Sequence, residues 1–286
     1  MKRRTFLRNT SVGALGSVIG SPSGMGNPSQ WFPEKKIITI SYNVFQFKGY
    51  PETDDTQFIL KDMKLQIAER MALELALYKP HIITFQEAPE EKEVKKVADK
   101  LNMDYTYFQG GFPGAVLSKF EIVSSENCPL VSRKESGDLF SRHWGKAVLK
   151  SKDEEIQLYS IHMHPSNDEI RSREVNEVLN VMKQDLTDGK KVIFQGDFNH
   201  EPIQNEYQSW NDAGLIDCYA AKGVEQGNTI KSTFPNRTVD YVWVHESLKK
   251  RLLRCRVLFE GHFRTNPMDE RSIALSDHLP VMAEFE

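Results

Sequence analysis

Cysteine is scarce in this chain, with only Cys128, Cys218 and Cys255 among 286 residues. A disulfide scaffold is thereby excluded, because three thiols close at most one bridge and leave one over. No Cys-x2-Cys pair or His-Glu-x-x-His run occurs to suggest zinc. Positive charge is not in excess either: 37 Lys+Arg stand against 40 Asp+Glu, a formal net charge of −3. A protein that grips nucleic acid along its length usually carries a basic surplus to neutralise phosphates. Long apolar runs are also missing. Mean hydropathy is −0.51, and the weakly apolar residues 11–20 fall far short of the roughly 20 needed to cross a bilayer. No stable membrane span is expected. Gly-x-Ser-x-Gly, Walker and Gly-x-Gly-x-x-Gly turns are absent, which removes the serine-hydrolase, NTPase and dinucleotide readings.

What is present begins with Lys2-Arg3-Arg4-Thr5-Phe6-Leu7-Arg8 and a Gly/Ser/Val stretch. A charged start, a short apolar centre and small residues make a secretory signal, and adjacent arginines before Phe-Leu match the twin-arginine route. The competing reading is a basic arm for nucleic acid. Residues 1–30 are expected to be a twin-arginine-type signal segment, with export to the periplasm or the exterior, and residues 31–286 a single domain. The segment holds basic residues and no acidic ones, so the body is more acidic than the whole chain.

From Ile37 onward no linker, repeat or low-complexity tract interrupts the chain. Residues 37–40 read as a strand, and 58–78 as a helix with Leu60, Met63, Ile67, Met71 and Leu75 on one face. Residues 81–85 form a short apolar strand before an acidic helix over 90–101. A second β–α–β passage comprises 156–161, a helix over 168–186 striped by Val178, Leu179, Met182 and Leu186, and 191–194. Short strands are expected within 114–150 and at 239–244, 252–259 and 280–285. The pattern predicts an α/β protein whose mixed sheets are covered by helices.

Polar residues recur where these apolar segments end. Asn43 follows Ser41-Tyr42, Glu87 follows Phe85-Gln86, and His162 follows Ser160-Ile161. Asp197 and Asn199 flank Phe198, Asp240 follows Val239, and Asp277-His278 follow Leu275-Ser276. Singly, each has an ordinary explanation. Asn or Asp after a strand forms a turn or caps a helix, Glu87 before Ala88-Pro89 suits the dipole of the next helix, and a lone histidine in an apolar strand is usually a core residue. Asp197 and Asn199, at i and i+2, are expected on one face of an extended segment. As a series, these residues sit where sheet proteins assemble ligand sites.

In this order the residues resemble the endonuclease/exonuclease/phosphatase superfamily, the deoxyribonuclease-I-like metal-dependent phosphoesterases. The likeness covers nearly all of 37–286. It rests most on Tyr42-Asn43, Gln86-Glu87, Gly196-Asp197-Phe198-Asn199 and Ser276-Asp277-His278-Leu279-Pro280. Gly114-Ala115-Val116-Leu117-Ser118-Lys119, the His162 segment with Arg173 downstream, and Thr238-Val239-Asp240-Tyr241 add support. The resemblance implies a four-layer α-β-β-α sandwich of two mixed sheets with its site at one edge. It implies that Glu87, Asn43 and Asp277 surround a divalent metal, Mg2+ with Mn2+ as the usual substitute. Asp197 would orient or deprotonate the attacking water, with Asn199 beside it. His162 would donate to the phosphoryl group, and His278 would contact phosphate with Asp240 fixing its tautomer. The family's Asn-Thr-His-Leu-Asp-His run is replaced by Ser160-Ile161-His162-Met163-His164-Pro165, which leaves His162, favoured by its place at a strand end, and His164 as alternatives. Strand alternation would put both on the site's face. Arg142 is a further candidate for the phosphate.

The implied chemistry is metal-assisted in-line attack of water on a phosphoester. Inositol phosphatases of the superfamily carry Pro-x-Trp-x-Asp-Arg before their counterpart of Asp240, and Phe234-Pro235-Asn236-Arg237-Thr238-Val239 lacks its Trp-Cys portion. That points to a phosphodiesterase or nuclease. A phosphomonoesterase on an inositol or sugar phosphate, or a sphingomyelinase-type lipid phosphodiesterase, is the alternative. A silent binding module is disfavoured, because every polar position of the series is occupied. Expected partners are a phosphoester substrate, either nucleic acid or a small or lipid diester, and the chain is expected to be a monomer. Arg251, Arg254, Arg256 and Arg264 offer a local basic strip, with a solvated strand face as the plainer reading.

Overall fold

A strand buried on both faces needs cover on each side. That is the condition of β1 (Ile37–Asn43), β2 (Ile82–Gln86), β4 (Gly114–Ser118), β8 (Lys191–Asp197), β11 (Asp240–His245) and β13 (Val281–Phe285) along nearly their whole length. The computed structural model describes residues 36–63, 66–131, 139–151 and 154–286; the signal segment expected over 1–30 lies outside them. Two sheets and their helices provide the cover. β1, β2, β4 and β13 join β3 (Asp104–Phe108), β10 (Gly223–Val224) and β12 (Leu252–Val257) in a seven-stranded sheet of order β10-β12-β13-β1-β2-β4-β3. β8 and β11 join β5 (Glu121–Asn127), β6 (His143–Ser151), β7 (Glu154–His162) and β9 (Leu215–Asp217) in a six-stranded sheet of order β5-β6-β7-β8-β11-β9. Both sheets are mixed: β1 pairs parallel with β2 and antiparallel with β13, and β7 pairs parallel with β8 and antiparallel with β6.

Helices close the outer faces. α2 (Ile67–Ala76) and α3 (Glu91–Leu101) bury Met71, Leu75, Val94 and Val97 in the larger core. α4 (Asp168–Thr187) and α5 (Asn205–Asp212) set Val175, Val178, Met182 and Trp210 against Trp144, Tyr159, Phe194 and Trp243 of the second sheet. The four-layer α-β-β-α sandwich is therefore the fold. The helix expected over 58–78 is instead two, α1 (Asp54–Met63) and α2, although Leu60, Ile67, Met71 and Leu75 keep the expected buried stripe. Among the described residues no helix is long and apolar enough to cross a membrane.

Alternation along the inner strands grades the space between the sheets. Leu149, Ile156, Leu158, Ile193 and Val244 make one end apolar. Midway lie the buried polar residues Thr39, Ser41, Thr84, Ser160 and Gln195. Gln195 of β8 reaches across to the other sheet. Thr39 Oγ1 donates to its Oε1 at 2.7 Å, and its Nε2 donates to Ile40 O at 3.1 Å and Thr84 Oγ1 at 3.0 Å. The period of two then carries Asn43, Gln86, His162 and Asp197 onto the same inner face at the far end.

Glu174, buried on α4, accepts from the backbone N–H groups of Phe140 at 3.1 Å and His164 at 2.9 Å. It thus ties two loops of the site edge to the helix. Burial pushes its carboxyl from 4.5 up to about 7, and the two N–H donors with Arg171 and Arg142 oppose the shift only in part. A carboxyl with a higher pKa folded than unfolded favours the native state at low pH; the advantage is full below 4.5 and lost above about 7. Between about pH 5 and about pH 7.5 the wild type should therefore lose on the order of 3 kcal/mol more stability than Glu174→Gln. Urea melts of both proteins across that range check this, and parallel profiles would contradict it.

Candidate active site

Four neighbouring strands of the second sheet end in register. His143 of β6 lies opposite His162 of β7, His162 opposite Asp197 of β8, and Asp197 opposite Asp240 of β11. The first sheet contributes Asn43, opposite Gln86, and then Glu87 just past β2. The two sheets meet through Asn43, whose Nδ2 donates to Asp197 Oδ2 at 3.0 Å and lies 3.5 Å from Glu87 Oε1. His162 Nε2 is 3.3 Å from Asp197 Oδ2, and His278 Nε2 is 3.8 Å from the same oxygen. His278 Nδ1 lies 2.9 Å from Asp240 Oδ2. Arg142 Nη1 is 3.2 Å from Glu87 Oε1 and 2.9 Å from His162 Nε2. Ser276 fixes the cluster from beneath: its hydroxyl donates to Asn43 O at 2.7 Å and accepts the His278 N–H at 3.2 Å. Asp277, half-buried, adjoins His278, and its charge helps raise that imidazole's pKa.

Two expectations from strand alternation are corrected. β7 ends at His162, so alternation does not extend to His164. The His164 Nδ1 accepts the backbone N–H groups of Ser166 and Asn167 at 3.3 and 3.1 Å, which makes it a turn-former of its own loop. Likewise β8 ends at Asp197, and Asn199 adopts φ 51°. Asn199 joins the site through a turn instead: its N–H donates to Asp197 Oδ1 at 3.0 Å and its Nδ2 to Met163 O at 3.0 Å.

Burial sets the electrostatics. Asp197 is pushed up to about 7 by burial first and by Asp240 next, against His278, Asn43 and the Asn199 N–H. Burial pulls His278 down, yet Asp240 and Asp197 outweigh it and lift the imidazole to about 10. His162 goes the other way, held well below its usual value by burial and then by Arg142. Near neutral pH the site therefore holds a cationic His278 and a neutral His162. A neutral imidazole donates only from its single N–H, so His162 is a weaker donor than an imidazolium.

Asp197, Asp240 and His278 are close enough together to hold a metal ion. Nδ1 of His278 is committed to Asp240, however, and a protonated imidazole has no lone pair to offer. Glu87 and Asp277, both half-buried, and the buried Asn43 offer oxygen ligands of the kind a hard, water-retaining cation takes. Asp240 Oδ1 is buried with no hydrogen-bond partner, and Asp197 is raised by its carboxylate neighbour. A nearby cation offsets that surplus of negative charge. The residues thus fit a divalent cation, which Glu87 would hold with Asn43 and Asp277.

The motif series passed over the parts that aim Arg142. A Cβ on Gly110 would lie 1.5 Å from Arg142 O, and one on Gly111 would lie 2.4 Å from Ser141 O. Only glycine lets the β3–β4 loop rest on that backbone. Phe112 comes next, its ring centre 4.3 Å from the Arg142 guanidinium carbon and 6.3 Å from the His162 ring. A Gly-Gly pair before an aromatic is the signal present in the sequence. His143 backs His162 from the next strand, with Nε2 3.2 Å from Ser160 Oγ, and burial keeps it neutral down to about 3.

A family model described as the Endonuclease/Exonuclease/phosphatase family matches residues 40–278. Similar solved structures include a protein of that family from Bacteroides thetaiotaomicron, 20% identical over 88% of this chain and 98% of that one, with a TM-score of 0.68. A mannosyl-6-phosphatase from Bacteroides thetaiotaomicron VPI-5482 is 20% identical over 86% of this chain and 98% of its own, also at 0.68. D. rerio TDP2 complexed with a single-strand DNA product is 16% identical over 88% of this chain and 100% of its own, at 0.60. At these identities the likeness is one of fold. No curated protein sequence matches.

Asp197→Asn should lower kcat by about 10²–10⁴-fold and leave the melting temperature unchanged or higher, since it removes a buried charge that Asp240 repels. A large drop in melting temperature would mark Asp197 as structural. Gly110→Ala should force the β3–β4 loop off Arg142 and cost about 1–3 kcal/mol of stability, with a raised KM in the folded protein. An unchanged KM would show that Arg142 is aimed by other contacts.

Proposed function

Because the chain belongs to the endonuclease/exonuclease/phosphatase family, we propose that it is a divalent-metal-dependent phosphoester hydrolase acting on a small phosphoester by in-line attack of water. The observation that carries this reading is the convergence on Asp197 Oδ2 of Asn43, His162 and His278. Asn43 and the Asn199 N–H orient the Asp197 carboxylate, and its raised pKa makes it a stronger base than an exposed aspartate. His278, kept protonated by Asp240, presents a cation where negative charge develops on phosphorus. His162 is a neutral imidazole whose Nε2 accepts from the Arg142 guanidinium, which is itself steadied by the Phe112 ring. A divalent cation, Mg2+ or Mn2+, held by Glu87 with Asn43 and Asp277, supplies neutralisation of the phosphate and of the leaving oxygen.

A small substrate is favoured over a long nucleic acid because the basic strip is spent internally. Arg251 pairs with Glu154 at 2.9 Å, Arg254 with Glu284 at 2.5 Å and Arg256 with Glu260 at 2.7 Å. The phosphodiester preference rests on the sequence. The monoester reading has Arg142 in its favour, since a terminal phosphate carries an added negative charge and a fixed guanidinium matches it. Export by the twin-arginine route belongs to the same proposal and rests on Arg3-Arg4 with Phe6-Leu7.

Hydrolysis of bis(p-nitrophenyl) phosphate beside p-nitrophenyl phosphate, each with Mg2+ or EDTA, tests the reading. EDTA-sensitive cleavage of the diester is the expected outcome. Preference for the monoester would move the assignment to a phosphatase, and cleavage that survives EDTA would exclude the metal-dependent reading.

A further inference from the structure

The two loops that Glu174 ties to α4 are the ones that carry site residues. Its Oε1 accepts the Phe140 N–H at 3.1 Å, two residues before Arg142, and its Oε2 accepts the His164 N–H at 2.9 Å, two residues after His162. Each oxygen serves one loop. Arg142 Nη1 and His162 Nε2 meet at 2.9 Å, so a single side chain of α4 braces the segments on both sides of that contact.

The two loops differ in what else holds them. The His164 segment has three further ties. Arg171 Nη1 donates to His164 O at 3.2 Å, the Met163 N–H donates to Asp197 O at 2.9 Å, and Asn199 Nδ2 donates to Met163 O at 3.0 Å. The Phe140 segment is held more lightly. Phe140 stands at φ 54°, a region that L-residues avoid. Its ring stacks on Trp144 at 5.8 Å, and the next carbonyl, Ser141 O, accepts the Gly111 N–H at 3.1 Å. Glu174 is the acceptor that keeps the Phe140 N–H in this conformation.

Few charged groups surround the carboxyl. Arg171, one turn earlier on α4, is itself bound to Glu206 of α5 at 3.1 Å and to Asp168. Arg142 acts on it from the Phe140 loop. The His164 ring is turned to the N–H groups of Ser166 and Asn167. Both arginines favour the ionised form, yet burial outweighs them, and the group holds its proton up to about 7.

That burial depends on the loops that cover it. Freed of the Phe140 segment, the carboxyl would meet water and ionise more readily, so the seated loop and the bound proton favour each other. An anion gripped by Arg142 needs the loop seated, and it also offsets the guanidinium charge that opposes protonation. The two effects have the same sign.

We propose that Glu174 is a positioning residue that seats Arg142 for the substrate anion through the Phe140 segment, and that it does so in its protonated form, so that anion binding at the site is linked to proton uptake on α4. The inference rests on the phosphoesterase reading for the identity of that anion.

Sulfate, whose charge stays fixed between about pH 6 and about pH 8.5, is the probe, and its affinity is measured by calorimetry for wild type and Glu174→Gln in buffers of different ionisation enthalpy. Relative to Glu174→Gln, which cannot titrate, wild type should lose about tenfold in sulfate affinity across that range and take up more protons on binding near pH 7. In the Arg142→Ala background the same substitution should leave the pH dependence unchanged. A purely structural role would alter affinity by one factor at every pH, and such parallel profiles overturn the proposal. So does an equal effect of Glu174→Gln with and without Arg142. Amide resonances of wild type give a readout that needs no variant. The Phe140 and His164 N–H signals should shift together as pH passes about 7, and saturating sulfate should raise that midpoint by about one pH unit. A midpoint that sulfate leaves in place overturns the proposal. Neither readout needs turnover. If no phosphoester is hydrolysed yet sulfate raises the midpoint, the positioning role stands and the hydrolase reading fails. If esters are hydrolysed and the midpoint is unmoved, the reverse holds.

Discussion

The three hydrogen bonds of Gln195 fix how the two sheets sit against each other, and the active site depends on that relation. A buried carboxamide left without partners costs about 1–3 kcal/mol for each unmet group, so Gln195 strongly favours the one register in which Thr39, the Ile40 carbonyl and Thr84 are all in reach. Two residues further along the same face of β8 is Asp197, and two further along β1 from Ser41 is Asn43. A slip of one residue in β8 would turn Asp197 toward the aromatic layer under α4 and bring Phe194 or Gly196 into the gap. The polar layer between the sheets is thus the ruler by which residues more than 150 apart in sequence are brought to 3.0 Å.

Above that layer, Asp240 acts in opposite senses on its two neighbours. It holds the proton on His278 and helps raise the affinity of Asp197 for one. One carboxylate therefore prepares both a cation and a base. The arrangement is unfavourable by itself, with several carboxylates buried at one edge, and it is tolerated because Asn43 and Asn199 supply fixed donors to Asp197 and His278 a cation beside Asp240. The strained backbone at 45–47 and at Glu87 sits at the same edge. The opposite end of the space between the sheets is filled instead by Leu149, Ile156, Leu158 and Ile193.

Much of this was legible in the sequence because it is local. A polar residue at the end of an apolar run declares both its strand and its end of the strand, and Asn43, Glu87, His162, Asp197, Asp240 and His278 are found together as that pattern suggests. What the pattern does not reveal is where a strand stops. His164 and Asn199 lie past those stops, so the period of two says nothing about them; the first is taken up by its own loop and the second returns through a left-handed turn. Contacts between loops are equally hidden. Gly110 and Phe112 gain their meaning only from Arg142, which belongs to a different hairpin. The arginines near β12 look like a basic strip in sequence because their partners, Glu154 and Glu284 among them, come from other strands.

The aromatic layer between the second sheet and its helices has an optical corollary. Trp144, Trp210 and Trp243 are all fully buried there, within the cluster that contains Phe194 and Phe198, and the remaining core carries no tryptophan among the described residues. Emission from these three tryptophans, as distinct from Trp31 outside the described residues, is consequently a one-sided gauge. It registers loosening of α4 and α5 from their sheet, while fraying of α2 and α3 on the far side leaves the emission unaltered and is visible only to a backbone-wide probe such as amide exchange.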